Sequence, residues 1–469
     1  YGGLLSLFLL SKSRHVFSTP ILIVGLLASL SIVFFLQYLG IAWTWFIGIS
    51  VLLNIIIVYT LHFIWKKVNL NKIFIISILY ISCTNLFAYE NGLENISKQK
   101  FAQLKNRNIG VIVNHTSINA ANKHLIELFY DAGIRVSAIF SPEHGFKGVV
   151  EAGEAIVDGI DPLTGVPIYS LYGKIKKPSK NMLKEVDLLV FDIQDIGVRY
   201  YTYVSTLTMA MDIAAEVEIP ILVLDRLNPL GRNIRGPILD MQYSSFVGLH
   251  AIPIQHGMSI GELATMINEE GWLSSSNKAD LTIVEYSGLI NNKHMQNSFH
   301  PAPSPNMPDL ETARNYTGLC LVEGTNLSEG RGTELPFKVI GAPWINNKKL
   351  LKYLLPYMSV NDQVDTISFI PQKIEGKSSH PKYKNQKCNG LRIHNLEDPI
   401  RWTVILFKVL KDLYPAEFQF LKSNYIDKLY GNSDLRITIQ NKNDVYKLIN
   451  EWKVQEKLFL NKSVKYRIY

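Results

Sequence analysis

The sequence predicts an α/β protein: a Rossmann-like, mostly parallel sheet with helices on both faces, plus a smaller C-terminal α/β domain. Three observations carry this reading. From Asn108 onward, short β-branched apolar runs alternate with longer amphipathic segments. The runs are continuously apolar, as strands covered on both faces require. Five of them end in clusters of polar residues, and ligands of such sheets bind beyond the carboxyl ends of the strands.

The expected strands are, in order, "NIGVIVN", "RVSAIFS", "DLLVFDIQD", "IPILVLDR", "LTIVEYS" and "GLCLVEG". Helical stretches such as "ANKHLIELFYDAG" and "STLTMAMDIAAEVE" lie between them. Asn114, His115 and Thr116 follow the first run, and Glu143 and His144 follow the second within "SPEHGFKG". Asp192, Gln194 and Asp195 follow the third, Asp225, Arg226 and Asn228 the fourth, and Glu323 to Arg331 the last. One polar strand end is ordinarily a cap or a turn. Five, rich in acids, histidine and arginine, point to a catalytic cleft. From Trp344 the register changes to an irregular polar stretch, the helix-like "PIRWTVILFKVLKDLY" and a closing segment expected to be α/β. The expected division is a catalytic domain over residues 89–343 and an auxiliary domain over 344–469.

The first 88 residues read differently. No Asp, Glu, Lys or Arg occurs from Val16 to Trp65, room for two membrane helices, at about Phe17–Leu39 and Ile41–Trp65, of roughly 20 residues or more each. Lys12 and Arg14 before them and Lys66 and Lys67 after them would place both ends in the cytoplasm. Residues 68–88 resemble a secretory signal, with a basic start, an apolar core and Ala88 at the cleavage point; Cys83 offers lipidation as an alternative. A start at Val68 would yield a complete signal peptide, so residues 1–67 are either a membrane anchor or upstream reading frame. Both readings place the body outside the cytoplasm, periplasmic or extracellular.

Charge excludes little but is informative in its distribution. Of the formal +8, five positive charges (Lys12, Arg14, Lys66, Lys67, Lys72) fall in residues 1–72 with no acid, leaving +3 for the rest. That gives no basis for nucleic-acid binding. The three cysteines, Cys83, Cys320 and Cys388, have no metal-ligand spacing, and the body's two are expected to be free and buried.

Several chemistries fail on local pattern. There is no GxSxG nucleophile elbow and no GxGxxG dinucleotide loop. Zinc stays open as the lesser reading, since His115, His144 and His256 could converge with carboxylates, although no HExxH pair supports it. Paired carboxylates remain, as glycoside hydrolysis requires: one acid at the leaving oxygen, and a second as nucleophile or base. Glu143, in a glycine-bounded loop beside His144, is the leading candidate. Asp192 and Asp195 compete with it, although an ion-pair network with Arg199 would account for that strand end equally well. Glu323 and Glu329 are further candidates for the second carboxyl.

Taken together, "GVIVNHTSI", "SPEHGFKG", "DIQDIGVRYYTY", "LDRLNPLG", "HGMSIGELA", "PSPNMP" and "EGTNLSEGRGTELPF" resemble the NamZ-type exo-β-N-acetylmuramidases. The resemblance runs from about Lys105 to the C-terminus. It implies release of N-acetylmuramic acid from the non-reducing ends of peptidoglycan fragments, on a Rossmann-like domain, with no metal or organic cofactor. Within those motifs, Glu143, Asp192, His144, Asp195 and Glu329 are the expected catalytic residues. Asn114, Arg199, Tyr200, Tyr203, Asp225, Arg226, His256, Asn306, Glu323 and Arg331 are expected to bind substrate, with Arg199, Arg226 or Arg331 meeting its lactyl carboxylate. The pattern breaks at Arg232, where a glycine is expected. Alternatives are a noncatalytic cell-wall-binding protein and a metal-dependent amidase or esterase.

Overall fold

A computed structural model describes residues 2–26 (except 14, 20 and 24), 46–67 and 89–469 (except 149, 152–158, 276 and 289–298). The chain divides into two compact units, 1–88 and 89–469. In the first, helices Gly2–Ser11 and Phe46–Lys67 are joined by a buried bond from Asn54 Nδ2 to Ser6 Oγ at 2.5 Å. The second helix covers most of one expected span, but among the described residues no helix is long and apolar enough to cross a membrane. Residues 27–45, which hold much of the other span, and the signal-like segment 68–88 lie outside the described residues.

In the second unit the strands are β1 (Asn108–Val113), β2 (Arg135–Ser141), β3 (Gly159–Ile160), β4 (Pro167–Ser170), β5 (Leu188–Asp192) and β6 (Ile221–Leu224). They continue with β7 (Arg235–Ile238), β8 (Pro253–Gln255), β9 (Leu281–Val284), β10 (Val339–Ala342), β11 (Gln363–Phe369) and β12 (Cys388–Asn395). The main sheet has the order β3-β4-β2-β1-β5-β6-β9. All its pairings are parallel except β3 with β4 at the edge. The chain winds outward from β1 through β2 to β4, then returns to β5 and winds the other way, so the switch point falls between β1 and β5.

Strand periodicity sorts the side chains cleanly. Val111, Val113, Leu188, Val190, Leu222 and Leu224 face one core with helix Leu125–Asp131 and helix Gly92–Lys98. Ile112, Leu189, Phe191, Ile221 and Val223 face the other, with helices Tyr203–Val217 and Ile260–Glu269. That second core continues without interruption into Trp402, Phe407, Tyr430 and Trp452. The C-terminal part is therefore built onto one face of the sheet rather than standing apart from it.

Three expectations are corrected. "GLCLVEG" is not a strand: helix Leu310–Leu319 runs into a 3-10 turn, Cys320–Gly324. A short buried apolar run has no period that separates strand from helix. A division at residue 343 would cut β10 from β12, with which it pairs antiparallel through Val339–Ala342. The closing segment is helical throughout, in Tyr425–Tyr430, Asp434–Gln440 and Val445–Ser463, because burial of Leu435, Ile439, Leu448 and Trp452 overrides the β-branched "RITI". Cys320 and Cys388 are free and buried.

Arg199 joins the layers. Its Nη1 donates to Pro237 O and Ile252 O at 2.8 and 2.7 Å, and its Nη2 to Leu429 O and Tyr430 O at 3.0 and 2.8 Å. Replacing it with methionine would take a donor from four carbonyls; Ile252 O would keep the Leu239 N–H at 3.2 Å, and the buried Leu429 and Tyr430 carbonyls would lose the guanidinium. The expected loss is at least about 3 kcal/mol of unfolding free energy in chemical denaturation; a loss below about 1 kcal/mol would remove this bond set from the account.

Candidate active site

The exit of β2 builds one wall of the site. Loop 142–148 packs flat against His115: a Cβ on Gly148, at φ +68°, would lie 1.9 Å from His115 Nδ1, so only glycine fits. His144 also takes a left-handed conformation, with φ 72°. Its Nδ1 lies 2.8 Å from Val150 O. A carbonyl only accepts, so the neutral ring carries its proton on Nδ1 and offers Nε2 as an acceptor. Burial pushes the His144 pKa below its usual value, outweighing the opposing attraction of Glu143, and the ring is neutral at neutral pH. Glu143 is half-buried and accepts from Thr202 Oγ1 at 2.7 Å.

Turn 200–203, which leads into helix Tyr203–Val217, supplies the next part. Gly197, at φ +83°, starts the turn where a Cβ would meet Asn228 Oδ1 at 2.2 Å. The hydroxyl of Tyr200 donates to Thr317 O, and that of Tyr203 to Pro303 O at 3.0 Å. Both phenols are thus tied to backbone, leaving their rings to line the cleft. With the 304–307 and 323–331 segments and residues 378–382, they enclose a cavity of about 500 Å³.

The cleft holds four carboxylates. Glu323 accepts from Arg331 Nη2 at 2.8 Å. Glu329, 5% exposed, meets Lys382 Nζ at 3.1 Å and Arg331 Nε at 3.7 Å. Glu151 accepts from Ser379 N through both oxygens at 2.7 Å. Glu143 alone of the four meets neither a cation nor a backbone N–H among the described residues.

Of the predicted residues, Glu143, His144, Tyr200, Tyr203, Asn306, Glu323, Glu329 and Arg331 come together in this cleft. The other seven do not. Asp192 is fully buried and binds Arg226 through Nε at 2.6 Å and Nη2 at 2.9 Å, a pairing that removes both from the cleft. Arg199 is spent on the four carbonyls named above, and burial lowers its pKa to about 10, leaving it cationic at neutral pH. The alternative reading of this strand end, an ion-pair network of Arg199 with Asp192 and Asp195, does not form among the described residues. Asp225 accepts from Ser259 Oγ, Gly261 N and Tyr469 Oη at 2.6, 2.8 and 2.9 Å, and braces the β6 exit. Asn114 Nδ2 donates to Tyr203 Oη at 3.0 Å and positions that ring from behind. His256 and Asp195 form a buried pair, with Nε2 and Oδ2 3.9 Å apart. Burial lowers the His256 pKa to about 3 and raises that of Asp195 to about 7, so the pair is neutral in mildly acidic solution.

Sequence reasoning missed Glu151, Thr202, Ser304, Ser378, His380 and Lys382 as lining residues. Thr202 lay within the motif read for its tyrosines; the last three lie in the irregular polar stretch, which had no periodic signal. Arg232, the break in the pattern, binds Glu262 Oε2 at 2.5 Å and the Tyr469 carbonyl at 3.0 Å and lies outside the cleft lining. Among the described residues, no three His, Cys, Asp or Glu side chains are placed to hold a metal ion.

A doubly wound sheet beside a cleft lined by four carboxylates and several aromatic rings fits the glycoside-hydrolase class of site. Family models described as exo-β-N-acetylmuramidase NamZ match in two parts, the N-terminal model over residues 109–311 and the C-terminal model over 314–469. The chain belongs to this family of glycoside hydrolases. It is 40% identical over 388 residues to the peptidoglycan β-N-acetylmuramidase NamZ of Bacillus subtilis, covering 81% of this chain and 91% of the relative. Two solved structures of DUF1343 family proteins from Bacteroides fragilis share the fold. One has a TM-score of 0.68 at 36% identity, the other 0.73 at 29%; each match covers 81% of this chain and 99% of the other.

Asp195 gives the site's surroundings a pH signature. Its folded pKa, about 7, lies above the unfolded value, so the folded state holds the extra proton. Its contribution is fully present below about pH 4 and is lost as pH rises to about 7. Asp195→Asn is expected to gain stability relative to wild type across that window, on the order of 4 kcal/mol in total. Parallel denaturation curves of the two proteins from pH 4 to 7, with a constant difference, would contradict it.

Proposed function

We propose that this chain hydrolyses the glycosidic bond of a terminal N-acetylmuramic acid, releasing the free sugar from the non-reducing end of peptidoglycan fragments. The observation that carries the proposal is the contrast within the cleft: three carboxylates committed to cations or backbone, and Glu143 held by a single hydroxyl. A carboxyl that must carry a proton to a leaving oxygen needs that freedom.

In this reading Glu143 protonates the glycosidic oxygen as its bond to C1 breaks, and the rest of the fragment departs as an alcohol. Glu329, held in place by Lys382, is the second carboxyl facing the positive charge that develops at C1. A water molecule then supplies the hydroxyl at C1, and its remaining proton returns to a carboxyl. His144 stands beside Glu143 as a neutral acceptor for a sugar hydroxyl. Of the three arginines considered for the lactyl carboxylate, Arg331 alone lines the cleft, and we assign that contact to it. The tyrosine rings of turn 200–203 supply apolar surface for a pyranose face.

Incubation with an N-acetylmuramyl-N-acetylglucosamine disaccharide should liberate both monosaccharides. Glu143→Gln, which keeps the Thr202 contact but holds no transferable proton, should slow release by about a hundred- to ten-thousandfold without altering the denaturation midpoint. Near-normal release by that variant would refute the assignment.

A further inference from the structure

A second cavity, of about 380 Å³, lies beyond the carboxyl ends of β1, β5 and β6, beside the switch point of the sheet. Segment 300–304 is shared between it and the cleft: His300 and Pro301 line the second cavity, and Ser304 lines the first. That segment is fixed from behind. His115 Nε2 donates to Ala302 O at 2.7 Å, and Tyr203 Oη donates to Pro303 O at 3.0 Å.

The lining selects the ligand. Arg226 is 6% exposed, and its Nε and Nη2 are held by Asp192, with Nη2 also reaching Ile118 O at 3.2 Å. Its Nη1 has no hydrogen bond among the described residues. Gln194, 5% exposed, spends Nε2 on Asp195 O and Leu227 O at 2.7 and 3.0 Å, while its Oε1 accepts none among them. The cavity wall thus holds, on two buried residues, an oriented donor and an oriented acceptor that no described residue uses. Two carboxylates answer the guanidinium: Asp192, paired with it, and Glu94, in the cavity wall. An anion finds no net positive charge here, and a cation meets Arg226. Side-chain amides of Asn119 and Asn122 stand at the same opening. The volume falls within the range of small-ligand pockets.

We infer that this cavity is a second binding site, apart from the hydrolytic cleft, for a neutral amide-bearing sugar of the N-acetylhexosamine kind. The cavity's preference for a neutral polar ligand stands by itself; choosing a sugar among such ligands rests on the hydrolase reading.

The probe is N-acetylglucosamine, titrated into the full protein carrying ¹³C-methyl isoleucine, with Ile118 in the cavity wall as reporter. The Ile118 methyl signal is expected to shift and saturate. Ala120→Trp, at an exposed lining position, should weaken that response at least tenfold, while Ala121→Trp, outside the lining, leaves it intact. Turnover of the muramyl disaccharide should stay within twofold in both variants, which separates this site from the cleft and reports on folding. An Ile118 signal that does not move, or one that titrates alike in wild type and Ala120→Trp, overturns the proposal whatever the turnover shows.

Discussion

One guanidinium holds the cleft together. Arg199 is buried, forms no ion pair with a carboxylate among the described residues, and directs Nη1 and Nη2 into four backbone carbonyls from two distant parts of the chain. Its own backbone N–H donates to Ile254 O at 2.8 Å, stitching the same turn to β8. Tyr200 to Tyr203 follow immediately, so the residues that line the cleft inherit their placement from it. A buried cation is costly to desolvate, and the four carbonyls at Nη1 and Nη2 offset that cost, while Nε has no hydrogen-bond partner among the described residues. Helix Tyr425–Tyr430, whose last carbonyls Arg199 meets, also carries Tyr425 into the cleft lining. The sheet and the C-terminal part therefore build one site because one side chain ties both to the same turn.

The sheet was legible in the sequence for a simple reason. Runs such as "GVIV" and "LLVF" are apolar at every position, because odd residues face one helical layer and even residues the other. "LCLV" has the same composition and folds as helix and 3-10 turn, since composition without a period does not choose between them. The site was half legible. Strand-end polarity located the correct edge of the sheet but not which ends share a cavity. Asp192 and Arg226 illustrate the limit: they are 34 positions apart, and the sequence gives each a reactive look that their mutual pairing cancels. Ser378, His380 and Lys382 reach the cleft from an irregular stretch, where position is set by tertiary contacts such as Lys382 with the carbonyls of Val322 and Leu327.

The carboxyl edge of the sheet is thus divided between two cavities. On one side of segment 300–304 lie Glu143, Glu329 and Arg331, with the tyrosine rings; on the other lie Arg226, Gln194 and the asparagines. Residues that face neither cavity, Asn114, Asp225 and the buried Asp195–His256 pair, hold the loops that do. Their polarity serves geometry: Asn114 is matched to Tyr203, Asp225 to Ser259, Gly261 and Tyr469, and Asp195 Oδ2 to the Gly197 N–H.

The central claim is that the reacting carboxyl belongs to the β2 exit loop and not to the β5 strand end. A crystal structure of the protein with N-acetylmuramic acid bound tests it most directly. The sugar is predicted to lie in the larger cleft, with its anomeric oxygen within about 3 Å of the Glu143 carboxyl and its lactyl group toward Arg331. A pyranose whose anomeric carbon faces Asp192 or Asp195, out of reach of Glu143, would contradict the account.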